Sequence, residues 1–321
     1  MKRVVITGLG CITPLGNDID TLWERLLKGE CAIDTIKSIP TDNLPVKLAA
    51  EVKDFDPIAA GIDKATVRHN DNYALYAIAA ARQAMADSGL EVGRDVDPSR
   101  FGCAIGSGIG GIQTFLHDHC VLLNEGPRRV SPHFIPMMIA NIASADVAIM
   151  FHAEGPNLPV VTACATGTHS VGESFRMVRE GLADVMITGG SEAAITDISI
   201  SGFANSKALA TSTDPAAASL PFDIRRKGFV MGEEEARRAV ISSTKSMVGH
   251  MLGAAGAVEM VISTLVLKHG AVPPTINLNE PDPVCDLDYT PNVARDYKAN
   301  VAISNSFGFG GQNACVAIRT I

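Results

Sequence analysis

Cys164, Lys245 and His250 are the residues of this chain whose types and settings can do chemistry. Cys164 lies in Val160-Val161-Thr162-Ala163-Cys164-Ala165-Thr166-Gly167-Thr168-His169, which reads as an apolar strand, a tight turn of small residues and the start of a helix. A helix N-terminus offers unpaired N–H groups and the positive end of the helix dipole. That setting predicts a thiolate, the nucleophilic form, reacting fast at neutral pH. A buried structural cysteine among small apolar residues has the same local signature. A second segment, Ser242-Ser243-Thr244-Lys245-Ser246-Met247-Val248-Gly249-His250, leads into a helix that carries Glu259. There His250 can act as donor or base, with Lys245 as a nearby cation and Glu259 as its counter-charge. A histidine simply satisfied at a helix start fits as well. A third segment, Asn305-Ser306-Phe307-Gly308-Phe309-Gly310-Gly311-Gln312-Asn313, brackets phenylalanine with glycines that let backbone N–H groups approach a ligand. An N–H of this turn and one at Cys164 would make an oxyanion hole. A glycine-rich hairpin with packed phenylalanines is the alternative.

Positioning these residues requires a scaffold of strands and helices. Strand-like runs at Arg3–Thr7, Phe101–Gly106, Asp184–Gly189 and Asn300–Ser304 alternate with alanine-rich stretches such as Tyr73–Gly89. Such alternation predicts a layered α/β fold. Pro159–Cys164 leads into a helix ending near Gly181, and Ala239–Lys245 leads towards a helix over Gly249–Lys268. Both read as strand, small-residue turn and Gly/Ala-rich helix, so an internal duplication would turn Cys164 and Lys245–His250 to one site. Gly106-Ser107-Gly108-Ile109-Gly110-Gly111 fits the G-x-G-x-x-G pattern after a strand. No leading βαβ unit frames it and only Glu125 lies at a suitable distance, so a dinucleotide site is not predicted.

Composition narrows the remaining classes. A hydrophobic share of 46% with 29 glycines suits a large core with close helix–sheet packing. The net charge of −8 argues against generic nucleic-acid binding. No apolar run reaches the ~18 residues of a membrane span, and no leader-like segment opens the chain, so no membrane association is expected. The seven cysteines are scattered without a C-x-x-C pair, which predicts neither a zinc site nor a disulfide framework. A reducing, cytoplasmic setting follows as the expectation.

Taken together, the three segments resemble the β-ketoacyl-acyl-carrier-protein synthases, most closely the type II elongating condensing enzymes of the thiolase fold. The resemblance extends through Val4-Val5-Ile6-Thr7-Gly8-Leu9-Gly10, Gly126-Pro127-Arg128-Arg129, Gly189-Gly190-Ser191-Glu192, Pro221-Phe222-Asp223 and Pro273-Pro274-Thr275-Ile276-Asn277. It implies a duplicated α/β fold and a two-stage Claisen condensation. Cys164 would take an acyl group as a thioester, and the carbanion from decarboxylated malonyl carrier protein would attack it. It further implies that His250 hydrogen-bonds the malonyl thioester oxygen, that Lys245 and Glu259 support the site, and that the N–H groups of Cys164 and Phe309 hold the oxyanion, with Phe309 as gate. Ile109, Phe134, Phe203 and Phe307 would meet the acyl substrate. Arg68, Arg128 and Arg129 would meet acyl carrier protein. The implied assembly is a homodimer, with no metal or organic cofactor.

One departure is large. The family's Asn-Ala-His-Gly-Thr-Ser-Thr motif, which carries a first catalytic histidine, is absent from the chain. About 90 residues, more than half of a small domain, are missing from the family pattern between about 232 and 235. The expected organisation is therefore a thiolase-like half over 1–233 with the nucleophile, and a second half over 234–321 truncated at its front. Acyl transfer to Cys164 is expected to outlast decarboxylation, which needs donors on the developing enolate. Two other readings share these residues: a non-catalytic pseudoenzyme that binds carrier protein or acyl chains, and a polyketide ketosynthase. A chain-length factor lacks the nucleophilic cysteine, so Cys164 argues against one.

Overall fold

Phe101–Gly106 is buried along its whole length, as a strand covered on both faces must be. Around it the computed structural model describes residues 2–227 and 240–321. The expected boundary at 233/234, and the position of the missing stretch, lie outside the described residues. In chain order the elements are α1 (Ile19–Leu27), β1 (Asp34–Thr35), β2 (Leu48–Ala49), α2 (Lys64–Arg68), α3 (Asn72–Ser88) and β3 (Phe101–Gly106). There follow α4 (Ile112–Glu125), α5 (Phe134–Met138), α6 (Ile142–Met150), α7 (Thr166–Glu180), β4 (Val185–Gly190) and α8 (Asp197–Asn205). The rest are α9 (Lys245–Val248), α10 (Ala255–His269), β5 (Ala271–Val272), β6 (Arg295–Asp296), β7 (Val301–Gly308) and β8 (Gln312–Arg319).

The layers follow from which faces are apolar. β3 and β4 pair in parallel from Phe101 opposite Val185 to Gly106 opposite Gly190. On one side α3 and α6 cover β3, through Ile78, Ala81, Ala143, Val147 and Cys103. On the other side α7 and α10 pack together and against β4. α10 also lies on β7, which pairs antiparallel with β8 from Val301 opposite Arg319 to Gly308 opposite Gln312. The order is therefore helices, sheet, a central pair of helices, and a second sheet. α3 starts where Asp71 accepts from the Tyr73 N–H and stops at Gly89, whose φ of 65° a side chain would strain.

α7 and α10 can touch because each presents a glycine. A Cβ at Gly167 would stand 2.6 Å from the Ala257 nitrogen, and one at Gly256 would stand 2.8 Å from the Thr168 nitrogen. The contacts are reciprocal, as a duplication with a local two-fold relation requires.

Three sequence-based expectations fail locally. Arg3–Thr7 forms no strand, and Val5 and Ile6 are exposed. Among the described residues this segment has no neighbouring strand to ladder with, and the following N–H groups of Leu9 and Cys11 go instead to Asp87 and Gln83 on α3. Val160–Thr162 is likewise not a strand: beyond the single bridge of Asn157 to Cys103, the Thr162 N–H is taken by the Thr166 hydroxyl. Leu252–His269 is long and apolar enough to cross a membrane, contrary to the expectation that no such run exists. Its Val258, Ile262 and Leu265 are buried in the core with Leu22, Trp23 and Leu26 of α1, which accounts for the apolarity without a membrane.

Candidate active site

Cys164 occupies the middle of a single 3-10 turn, Ala163–Ala165, and α7 begins at the next turn of chain. The Ala165 N–H donates to the Thr162 carbonyl at 3.0 Å, and Thr162 Oγ1 meets His169 Nδ1 at 2.8 Å. Ala163 has φ 49°, a left-handed conformation that costs a residue with a side chain about 1–3 kcal/mol. The thiol is 7% exposed. Gly308 brings the β7–β8 turn so near that a Cβ there would lie 3.2 Å from the Cys164 nitrogen. Burial pushes the Cys164 thiol up, while the N–H groups of Phe309 and of Cys164 itself, with the charge of Lys245, offset part of that rise. The expected thiolate at neutral pH is thus corrected: loss of water around the sulfur outweighs the helix terminus.

The two N–H groups that face the sulfur are the pair an oxyanion hole needs. Lys245 opens α9 and its ammonium pairs with Glu259 on α10, whose other oxygen accepts from the Ser304 hydroxyl at 3.2 Å. Ser219 caps the Lys245 carbonyl at 2.9 Å, and Ser246 is fully buried against Ser243 and Ile276, so the base of α9 is fixed. His250 follows α9 directly. Burial first, and the Lys245 charge second, push its pKa down to about 4. The imidazole is therefore neutral at physiological pH, suited to share a proton in a hydrogen bond rather than to bring a charge.

The pocket residues divide. Phe203 on α8 and Phe309 approach with ring centroids 6.2 Å apart, so these two come together. Gly110 and Gly111 of the loop after Ile109 lie against Met138 and Met137 of α5, which also carries Phe134; the Phe134 ring lies 6.2 Å from that of Phe115 on α4, and Ile109 is 38% exposed. Phe307 does not join either: strand alternation turns it away from the buried Ser304 and Ser306, and it is 54% exposed. Arg68 and Arg129 line one cavity of about 460 Å³ with Asn70, Gln113 and Ser131, and Arg128 is exposed beside it. Arg129 also pairs with Glu125 at 3.3 Å. Among the described residues no group of His, Cys, Asp and Glu gathers as a metal site.

Sequence reasoning missed three participants. Ser304 braces Glu259, Thr168 joins Ser306 at 2.7 Å between α7 and β7, and Glu192 collects donors from both halves. The glycine-rich Gly106–Gly111 stretch is indeed strand, loop and helix, but its Gly108 and Ile109 N–H groups are spent on the Glu192 carboxylate.

The sequence patterns of known families agree with this geometry. Residues 1–234 match the β-ketoacyl synthase N-terminal domain, and residues 226–279 match the β-ketoacyl synthase C-terminal domain. The chain belongs to the β-ketoacyl synthases. A 3-oxoacyl-[acyl-carrier-protein] synthase 2 of Staphylococcus aureus (strain N315) is 40% identical, with 99% of this chain and 98% of that protein covered. The synthase of the same name from Coxiella burnetii is 38% identical, covering 100% of this chain and 99% of that one. The Staphylococcus alignment runs over 408 positions, although this synthase chain has 321 residues. In fold the chain is like the ishigamide ketosynthase/chain length factor, with a TM-score of 0.88, 24% identity, and coverage of 100% of this chain and 99% of that one. A β-ketoacyl synthase from Burkholderia phymatum gives a TM-score of 0.87 at 25% identity, with both chains fully covered. The expected thiolase-like α/β architecture is therefore the one found.

Proposed function

We propose that this synthase catalyses the 3-oxoacyl-[acyl-carrier-protein] synthase reaction of fatty acid elongation, with Cys164 as the nucleophile. The observation that carries the reading is the pair of N–H groups, from Cys164 and Phe309, facing one buried sulfur beside Lys245. In the first half-reaction the Cys164 thiol gives up its proton as its sulfur attacks the acyl thioester carbonyl, the two N–H groups take the developing oxyanion, and the C–S bond to the carrier breaks as that proton passes to the leaving carrier thiol. In the second, malonyl carrier protein loses carbon dioxide while neutral His250 hydrogen-bonds its thioester oxygen. The resulting carbanion attacks the Cys164 thioester and expels the Cys164 thiolate, which takes up a proton from solvent. Lys245, held by Glu259, supplies positive potential to both stages.

The finer parts of the proposal have their own support. Acyl carrier protein is proposed to meet Arg68, Arg128 and Arg129, and a ketosynthase solved in complex with its type II polyketide acyl-carrier protein shares the fold, with a TM-score of 0.87. A homodimer is supported by the exposed Leu158 and Val161, which sit on extended chain just before the nucleophile turn. A reducing cytoplasm is supported by the seven cysteines, all unpaired. The excess of aligned positions over residues supports a stretch of about 90 residues, domain-sized, present in the relatives and absent here. Without the first histidine motif, one donor to the enolate is lost, and this favours acyl transfer over condensation.

Intact-protein mass spectrometry after incubation with an acyl carrier thioester tests the reading. The expected outcome is one acyl adduct, abolished in Cys164→Ala, with carbon dioxide release from malonyl carrier protein reduced about a hundredfold or more relative to a complete synthase. No adduct on a folded chain would instead support the non-catalytic binding protein, which the missing histidine motif favours.

A further inference from the structure

The turn that carries Cys164 has a twin. Ala163–Ala165 and Leu252–Ala254 are both single 3-10 turns, each opening on a non-glycine residue at positive φ, 49° at Ala163 and 44° at Leu252. Each feeds a helix of 15 residues, α7 or α10, and each helix ends at a left-handed glycine, Gly181 or Gly270. Counting along the two segments sets Cys164 against Gly253 and Gly167 against Gly256, and the reciprocal closeness of those last two glycines agrees. The N–H at Cys164 faces the sulfur; its counterpart at Gly253 faces a different anion. Glu192 Oε2 accepts from the Gly253 N–H at 3.1 Å and from the Gly108 N–H at 2.9 Å. Its Oε1 accepts from the Ser107 hydroxyl at 3.0 Å and from the Ile109 N–H at 3.2 Å. The hole of the second half is already filled by a carboxylate of the protein.

We propose that Glu192 is a positioning residue of this synthase, plugging the second anion hole and thereby tying the Ser107–Ile109 loop to the turn between His250 and α10. The inference rests on the proposed function for its consequence in catalysis, and on hydrogen-bond geometry for its substance. One carboxylate fixes three backbone N–H groups from two halves of the chain, so the loop before α4 and the start of α10 move as one body. α10 in turn carries Glu259, the partner of Lys245. The groups whose charge acts on Cys164 are then Lys245 on α9, which favours the thiolate, and Glu192 after β4, which opposes it; burial pushes the Glu192 carboxyl up while its donors at Ser107, Gly108, Gly253 and Ile109 offset part of that rise, and His250 stands neutral.

Glu192→Gln removes the charge at constant shape, and Ser107→Ala removes one donor at constant charge. Iodoacetamide alkylation of Cys164 against pH, read by mass spectrometry on the whole chain, needs no turnover. In Glu192→Gln its midpoint is expected about one pH unit lower, and the half-saturating acyl carrier concentration for Cys164 acylation about tenfold higher. Ser107→Ala is expected to leave the alkylation midpoint in place and to raise half-saturation severalfold. An unmoved midpoint and unmoved half-saturation in folded Glu192→Gln overturn the proposal. Should Glu192→Gln not fold, unchanged half-saturation in Ser107→Ala overturns it. If the parent chain alkylates at Cys164 but takes no acyl group, the functional reading fails while the alkylation midpoints still decide the role of Glu192.

Discussion

His250 shows how one residue ties the chemistry to stability. Its side chain is half-buried beside Lys245, and loss of water together with that charge holds it neutral down to about pH 4, whereas an unfolded histidine takes up a proton near 6.5. The unfolded chain therefore binds more protons between those values. Stability contributed by keeping His250 neutral is complete above about pH 6.5 and is lost as the pH falls towards 4. Over that window the loss is on the order of 3 kcal/mol. Urea unfolding at a series of pH values measures it: the slope between pH 4 and 6.5 should flatten in His250→Gln, and an unchanged slope would place the titration elsewhere. At this scale the sequence was legible where a residue announces itself by local context, as Cys164, Lys245 and His250 do. Glu192 has no such context. Its donors at Gly108 and Gly253 lie 84 and 61 positions away, so only the folded backbone brings them to it. The raised thiol of Cys164 is hidden from local context in the same way, because the β7–β8 turn that closes on it through Gly308 lies far along the chain.

Between the elements, the contact of α7 with α10 matters most, because it joins the nucleophile helix to the helix bearing Glu259. Gly256 lies under Thr168, and a methyl group there would also come within 2.9 Å of the Ser306 hydroxyl. The Thr168–Ser306 bond at 2.7 Å is buried and ties α7 to β7, so α7 cannot shift off that strand without leaving polar atoms unpaired. Gly256→Ala is expected to cost about 1–3 kcal/mol and to lower acyl transfer as the two turns are pushed apart. Gly172→Ala, where nothing lies within 4 Å, is the control that should leave both unchanged. Equilibrium denaturation with acylation rates on the same preparations gives the comparison; equal effects at both positions would remove the contact from the account. The helices themselves were readable from the sequence, down to the glycine at which α7 stops. Strands that need a neighbour were not: Arg3–Thr7 has the β-branched composition of a strand but nothing among the described residues to pair with, and composition cannot supply a partner.

For the whole molecule, the decisive feature is that nothing among the described residues covers the outer face of the second sheet. Among the described residues every sheet has two strands, whereas open sheets of this class usually carry about five. β7 and β8 bury Ser304 and Ser306 against the central helices, but the opposite face, with Val301, Ile303 and Phe307 from β7 and Cys315 and Ala317 from β8, looks outward. Val301, Ile303 and Phe307 are 54%, 61% and 54% exposed, which an enclosed core strand would not tolerate. Val5 and Ile6, outside any strand, are likewise exposed. The Staphylococcus alignment runs over more positions than this chain has residues, and the two domain matches overlap at residues 226–234. Unpaired strand edges next to an apolar face favour association of like chains. The net charge of −8 opposes that only weakly once salt screens it. The chain is therefore expected to form species larger than two copies of its 33.7 kDa mass, increasing with concentration and salt, and to bind an apolar fluorescent dye. Ile303→Lys with Phe307→Lys should reduce both signals while leaving Cys164 alkylation intact, since these side chains point away from the nucleophile. Sedimentation showing two copies and nothing larger, with no dye binding, would mean that the outer face is covered by chain the described residues do not include.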